Sequence, residues 1–220
     1  NPLLFKTADG TVYYGHEVLK GNANFENFNQ SRINTFDWIG SNTDITKEAK
    51  DAPEGKVTIQ TALKEHLLQD GQYSHIIYDH GTGEIADYLT FKSDESFIRV
   101  ELYHCKAMKG AKYNSSIDDV YEVAQQAIKS TVWIKSKTAL LTKIQARIKG
   151  GSSDKFIRGD NKTLKTLLQS QKAMEATIYI VQPAISKASP MNEPFGKILS
   201  AAAFYIRHTG RAKELKIIGS

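Results

Sequence analysis

Cysteine is almost absent from this chain: Cys105 is the only one among 220 residues. A single thiol excludes an intrachain disulfide framework and a cysteine-built zinc site, and it suits a reducing compartment. No apolar run approaches the roughly 20 residues that a membrane-spanning helix needs, and the N-terminus lacks the basic-then-apolar pattern of a signal peptide. The expectation is a soluble, cytoplasmic protein with no membrane partner. No phosphate-binding loop with its lysine is present, which excludes an ATPase within these residues. Internal repeats and low-complexity tracts are missing too. The histidines His16, His66, His75, His80 and His208 show no metal-ligand spacing, although His80 lies near the candidate site described below. The chain begins at Asn1 rather than Met, as a domain cut from a longer protein or a trimmed chain would.

What is present suffices for one sizeable core, since 40% of the residues are hydrophobic and the length is that of one domain or one domain with an annex. A single domain over 1–220 is expected. Charge is unevenly placed: residues 1–110 carry 11 Lys and Arg against 16 Asp and Glu, whereas 111–220 carry 18 against 8. Ten of the basic residues fall in 131–172, opposed there only by Asp154 and Asp160. Such a stretch suits a polyanion, because neutralised phosphates release counterions. It equally suits a solvated helical face kept soluble by lysines.

Periodicity organises the rest. Leu3–Thr7 and Thr11–Tyr14 read as a hairpin around Ala8-Asp9-Gly10, and 16–55 is irregular. Val57, Ile59, Ala62, Leu63, His66 and Leu67 form a helical stripe that stops at Asp70-Gly71. Strands at about 75–79, 84–91 and 97–105 are joined by short turn signals and so form an antiparallel meander. A helix from Ser115 or Ser116 to about Ser130 follows, with Asp119, Glu122, Gln126 and Lys129 along one polar edge. Helices at about 137–149 and 161–174 carry the basic residues and read as an insertion. A nearly continuous apolar run at 176–181, typical of a strand buried on both faces, a helix at 195–208 and a strand at 213–218 complete the chain.

Side chains alternate along a strand, so Ile85, Asp87 and Leu89 share one face, and Ile98, Val100, Leu102, His104 and Lys106 share one face of the next. Asp87, His104 and Lys106 then meet at the rim of that face. A carboxylate and an imidazole can hold a divalent metal there, and an ammonium can hold a phosphate or polarise a water. Glu84 and Glu101 fall on the opposite face by parity, as does Cys105, a packing residue. Asp79, at the end of the first strand, is either a second-metal ligand or a turn acceptor.

The order helix, three-stranded meander, helix, strand resembles the core of the PD-(D/E)xK restriction-endonuclease-like superfamily. The segments Gly83–Asp87, Tyr103–Lys106 and Asp119–Ser130, with Thr58-Ile59-Gln60 and Ile180-Val181-Gln182-Pro183, are further similar to nuclease-like domains attached to superfamily 2 helicases in bacterial phage-defence systems. The resemblance spans roughly residues 57–183. It implies an α/β fold with that core at 56–134 and 175–220, an N-terminal extension with a hairpin at 1–55, a basic helical insertion at 135–174, and an extra C-terminal helix and strand. It also implies Asp87, His104 and the carbonyl of Cys105 as ligands of Mg²⁺ or Mn²⁺, with Lys106 and Gln126 as further catalytic residues. His104 departs from the superfamily, which has Glu or Gln there, and imidazole matches Mn²⁺ better than Mg²⁺.

The function expected is metal-dependent hydrolysis of DNA phosphodiester bonds beside a helicase motor, with Lys143, Arg147, Lys155 and Arg158 tracking the backbone. Two alternatives stay open. One is a nucleic-acid-binding module of the same fold without catalysis, and the other is a protein-interaction domain with a basic face.

Overall fold

Along β7 (Phe97–Cys105), Ile98, Val100 and Leu102 enter one hydrophobic cluster while Tyr103 and Cys105 enter another, so this strand separates two apolar layers. That is the pattern of a central strand covered on both faces. The computed structural model describes residues 28–110, 112–149, 155–208, 210 and 212–220, with the backbone of three short strands nearer the N-terminus. Those strands, β1 (Leu4–Lys6), β2 (Val12–Tyr14) and β3 (Glu17–Leu19), form a small antiparallel sheet. The first two make the expected hairpin, and its turn lies outside the described residues.

The chain is α/β, with a mixed seven-stranded sheet and, among the described residues, five α-helices. Strands β5 (His75–Tyr78), β6 (Tyr88–Ser93) and β7 pair antiparallel as a meander. Beside β7, in parallel, runs β9 (Ala173–Val181), then β10 (Glu214–Gly219) and β4 (Ile33–Thr35), also parallel. At the other edge β8 (Phe156–Arg158) pairs antiparallel with β5. Helix α1 (Ile59–Gln69) covers one face through Ile59, Ala62, Leu63 and Leu67. The other face takes α2 (Ile117–Ser130) through Val120, Val123, Ala124 and Ala127, and α5 (Glu193–His208) through Phe195, Leu199, Ala202 and Ile206.

Several expectations change. The strand expected at 84–91 begins only at Tyr88, because the segment before it is folded into a turn. Gly81 and Gly83 adopt φ of 123° and 76°, which side chains other than glycine rarely tolerate. Asp79 Oδ2 also captures the Ile85 N–H at 2.9 Å, and Glu84 Oε2 captures the Gly81 N–H at 2.7 Å. The helix expected at 161–174 is α4 (Asn161–Gln169), and β9 begins at Ala173. The apolar run of β9 is not buried on both faces along its length, since Thr177 and Tyr179 are only half-buried. The basic insertion packs into the core. Leu140, Leu141 and Ile144 of α3 (Lys137–Lys149) and Leu164 and Leu168 of α4 belong to the main core cluster, and β8 completes the sheet.

Candidate functional site

The β5–β6 connection, residues 79–87, crosses the end of the sheet and carries Asp79, His80, Glu84 and Asp87. Asp87 is 2% exposed, and a carboxylate so placed needs donors. It has three. Gln60 Nε2 donates to Oδ1 at 2.6 Å, His80 Nδ1 lies 2.7 Å from the same oxygen, and the Cys105 backbone N–H donates to Oδ2 at 2.8 Å. The Tyr78 hydroxyl donates to Gln60 Oε1 at 2.9 Å, which fixes the amide with its NH₂ toward Asp87. Both Gln60 and His80 therefore donate to one oxygen, and the 3.1 Å between Gln60 Nε2 and His80 Nδ1 follows from that sharing. The hydrogen bond to Asp87 raises the pKa of His80 above the ordinary imidazole value, against the smaller effect of burial.

Glu48 arrives from the irregular segment before α1. Thr58 caps that helix, its side chain accepting from Thr61 N, and the carbonyls of Lys47 and Glu48 accept from the N–H groups of Ile59 and Gln60, each at 3.0 Å. These bonds satisfy free N–H groups of the first helical turn and bring the Glu48 side chain beside Asp87. Glu48, His80 and Asp87 each offer a ligand atom within 4.8 Å of the others and could hold a metal ion. Lys106 adjoins the group, with its ammonium 3.5 Å from Glu48 and 2.5 Å from Glu122. Burial disfavours its charge, but these two carboxylates outweigh burial and hold its pKa above the ordinary lysine value.

The residues read from sequence are thus regrouped. Asp87 and Lys106 reach one end of the sheet without touching, and Glu48 stands between them. They are 2% and 7% exposed, so both are buried groups rather than rim residues. His104 is outside the candidate metal group, and the contact of Cys105 with Asp87 uses the N–H. His104 is 2% exposed, neither ring nitrogen has a partner among the described residues, and burial lowers its pKa to about 4 despite the opposing Asp87 charge. It lines a cavity of about 480 Å³ with the 80–85 turn, Gln126, Lys129 and Trp133. Gln126, which also lines it, has its Oε1 buried and without a partner among the described residues. Glu48 was missed in the sequence, where nothing in its polar surroundings marks it. Gln60 and His80 had only a similar segment and proximity to recommend them.

Asp79 is not a free ligand: Oδ1 accepts from Arg147 Nε at 2.7 Å and Lys155 Nζ at 2.6 Å, while Oδ2 holds Ile85 N. Arg147 also donates to the carbonyls of Thr82 and Asp79. Arg158 caps the end of α1 by donating to the carbonyls of Leu68 and Asp70, both at 2.8 Å. Lys143 lies over the Trp133 ring, 4.6 Å from its centroid. The four residues expected to track a nucleic-acid backbone are all engaged within the protein, and Arg147 and Lys155 instead clamp the site loop to the insertion. Arg147→Ala is expected to lower stability by about 2 kcal/mol, since Lys155 stays as a partner for Asp79 but three hydrogen bonds are lost. A urea midpoint equal to wild type would show that the clamp contributes nothing.

Comparison with protein-family models, with curated proteins and with solved structures finds no match for this chain. Among the described residues no helix is long and apolar enough to cross a membrane.

Proposed function

We propose that this chain is a metal-dependent phosphodiesterase acting on nucleic acid, built on a restriction-endonuclease-like core. The observation that carries the reading is the convergence of Glu48, His80 and Asp87 at one end of the central sheet, beside a buried lysine. The order α1, β5-β6-β7 meander, α2, and β9 parallel to β7 supports the fold assignment. DNA as the substrate, and a helicase-associated defence system as the setting, rest on the resemblance of the sequence.

The donor set fits a divalent ion. Two carboxylates and one imidazole suit Mn²⁺ or Fe²⁺ better than Mg²⁺, which prefers oxygen alone. The preference first attributed to His104 passes to His80. Such an ion supplies Lewis acidity at a phosphoryl oxygen and lowers the pKa of a bound water. Asp87 and Glu48 provide the charge that holds it, and Gln60 keeps Asp87 oriented. His80 must release the proton it shares with Asp87 when its Nδ1 becomes a ligand. Lys106, kept protonated by Glu48 and Glu122, serves as a fixed positive charge for the phosphate and not as a base.

Nicking of supercoiled plasmid tests this directly. Cutting is expected with Mn²⁺, more slowly with Mg²⁺, and not in EDTA. Lys106→Met should slow it about 10²-fold, the loss typical of one aimed electrostatic partner. Cutting in EDTA, or an unimpaired Lys106→Met variant, would remove the mechanism. Salt-sensitive DNA binding with no cutting under any metal would leave a binding module of the same fold.

A further inference from the structure

The cavity under the 80–85 turn is not accounted for by metal binding. Two residues that line it, His104 and Gln126, carry three polar atoms that are buried and, among the described residues, unpartnered: both ring nitrogens of His104 and Oε1 of Gln126. Each such atom carries a desolvation penalty of about 1–3 kcal/mol, and groups left so in a folded protein are found where a ligand or water supplies the partner. The ring is 2% exposed and the cavity holds about 480 Å³, enough for a nucleotide-sized molecule.

We propose that this cavity is a nucleobase pocket, in which a base bearing an exocyclic amine bonds to His104 and Gln126 and lies against Trp133, with Lys129 toward its phosphate. The donor and acceptor pattern selects the ligand. A neutral imidazole offers one N–H and one bare nitrogen, and Gln126 Oε1 is a second acceptor, so the ligand must bring one acceptor and two donors. A carboxylate and a phosphodiester bring no donor, and a metal ion cannot satisfy an imidazole N–H. Adenine, cytosine and guanine present two N–H donors and an adjacent acceptor, whereas uracil and thymine have one N–H on the pairing edge. The indole of Trp133 supplies a stacking surface, as in sites that receive a base turned out of a strand. Lys129 stands three residues after Gln126 on α2, on the same side of the helix, with an exposed side chain.

His80 lines this cavity and belongs to the candidate metal group, so a base held here would carry its phosphate toward that group. The identification of the ligand as a nucleotide rests on the phosphodiesterase reading, and the experiment separates the two. Adenosine, cytidine, guanosine and uridine 5′-monophosphates, with ribose 5-phosphate as a base-free probe, are titrated into the protein in EDTA while tryptophan emission is followed. The three amine-bearing nucleotides should quench emission, uridine monophosphate should bind about tenfold more weakly for the missing hydrogen bond, and ribose 5-phosphate should not quench. Trp133→Phe should abolish the signal, since Trp38 lies in the cluster on the other face. Gln126→Leu, at a half-buried helix position where folding is checked by circular dichroism, should weaken binding about tenfold. No quench by any nucleotide, equal affinity for ribose 5-phosphate, or affinity untouched by Gln126→Leu would overturn the pocket. Nucleotide binding without plasmid nicking would keep the pocket and remove the nuclease, and nicking without nucleotide binding would do the reverse.

Discussion

Replacing Asp87 with Ala should lower the stability of the protein by about 4 kcal/mol, because it strands the Cys105 N–H and the Gln60 amide without an acceptor and removes the partner of His80. The side chain is 2% exposed, so water cannot take over these bonds. Asp87→Asn should cost only about 1–2 kcal/mol, since one oxygen remains to accept, though its NH₂ cannot face the Gln60 NH₂ as well. The pair separates structure from chemistry. Wild type should gain thermal stability when Mn²⁺ is added, because an ion bound only by the folded state stabilises it. Asp87→Asn should fold and show no such gain, having lost a ligand charge. An Ala variant as stable as wild type would mean that the three hydrogen bonds are not the anchor of the site. An Asn variant with an undiminished Mn²⁺ response would remove Asp87 from the metal group.

The same residue shows how far the sequence could be read. Asp87 stands out because apolar alternation surrounds it, and β7, α1, α2, α5 and β10 are legible for the same reason: each carries a periodic stripe long enough to count. The short edge strands β4 and β8 carry three residues each, too few for a period, and they exist through pairing with β10 and β5, distant in sequence. The turn before Tyr88 was hidden because Asp79 and Glu84 look like strand-end charges until their side chains bond backbone N–H groups. Glu48 was invisible because its place comes from backbone bonds to the start of α1 and from Met108 N donating to Ile45 O at 2.8 Å, contacts with no local pattern. Charge counting located the basic stretch and not its direction. Arg147 and Lys155 turn toward buried Asp79, because an unpaired carboxylate there would be far more costly than one guanidinium and one ammonium withdrawn from water.

His104 should make the protein acid-sensitive well above the range in which carboxylates titrate. In the unfolded chain its imidazole takes a proton near the ordinary value of about 6.5, whereas burial in the folded state lowers that value to about 4. The folded-state value is the depressed one. The stability associated with a neutral His104 is therefore fully present above pH 6.5 and is lost as pH falls from there toward 4, where the unfolded chain binds a proton that the folded one refuses. The full difference is about 3 kcal/mol, a large part of the roughly 5–15 kcal/mol that holds a domain folded. His75, whose pKa burial also lowers, works in the same direction. His80 works oppositely: its raised folded value adds stability below the unfolded pKa and loses it as pH rises through the folded one. His104→Gln isolates the effect, since it keeps a polar side chain that does not titrate. Urea midpoints of the two proteins, measured from pH 7 to pH 4.5, should fall more steeply for wild type than for the variant. Parallel profiles would mean that water reaches the His104 ring and protonates it in the folded protein, and the cavity beneath the 80–85 turn would then be wetter than its unpartnered nitrogens imply.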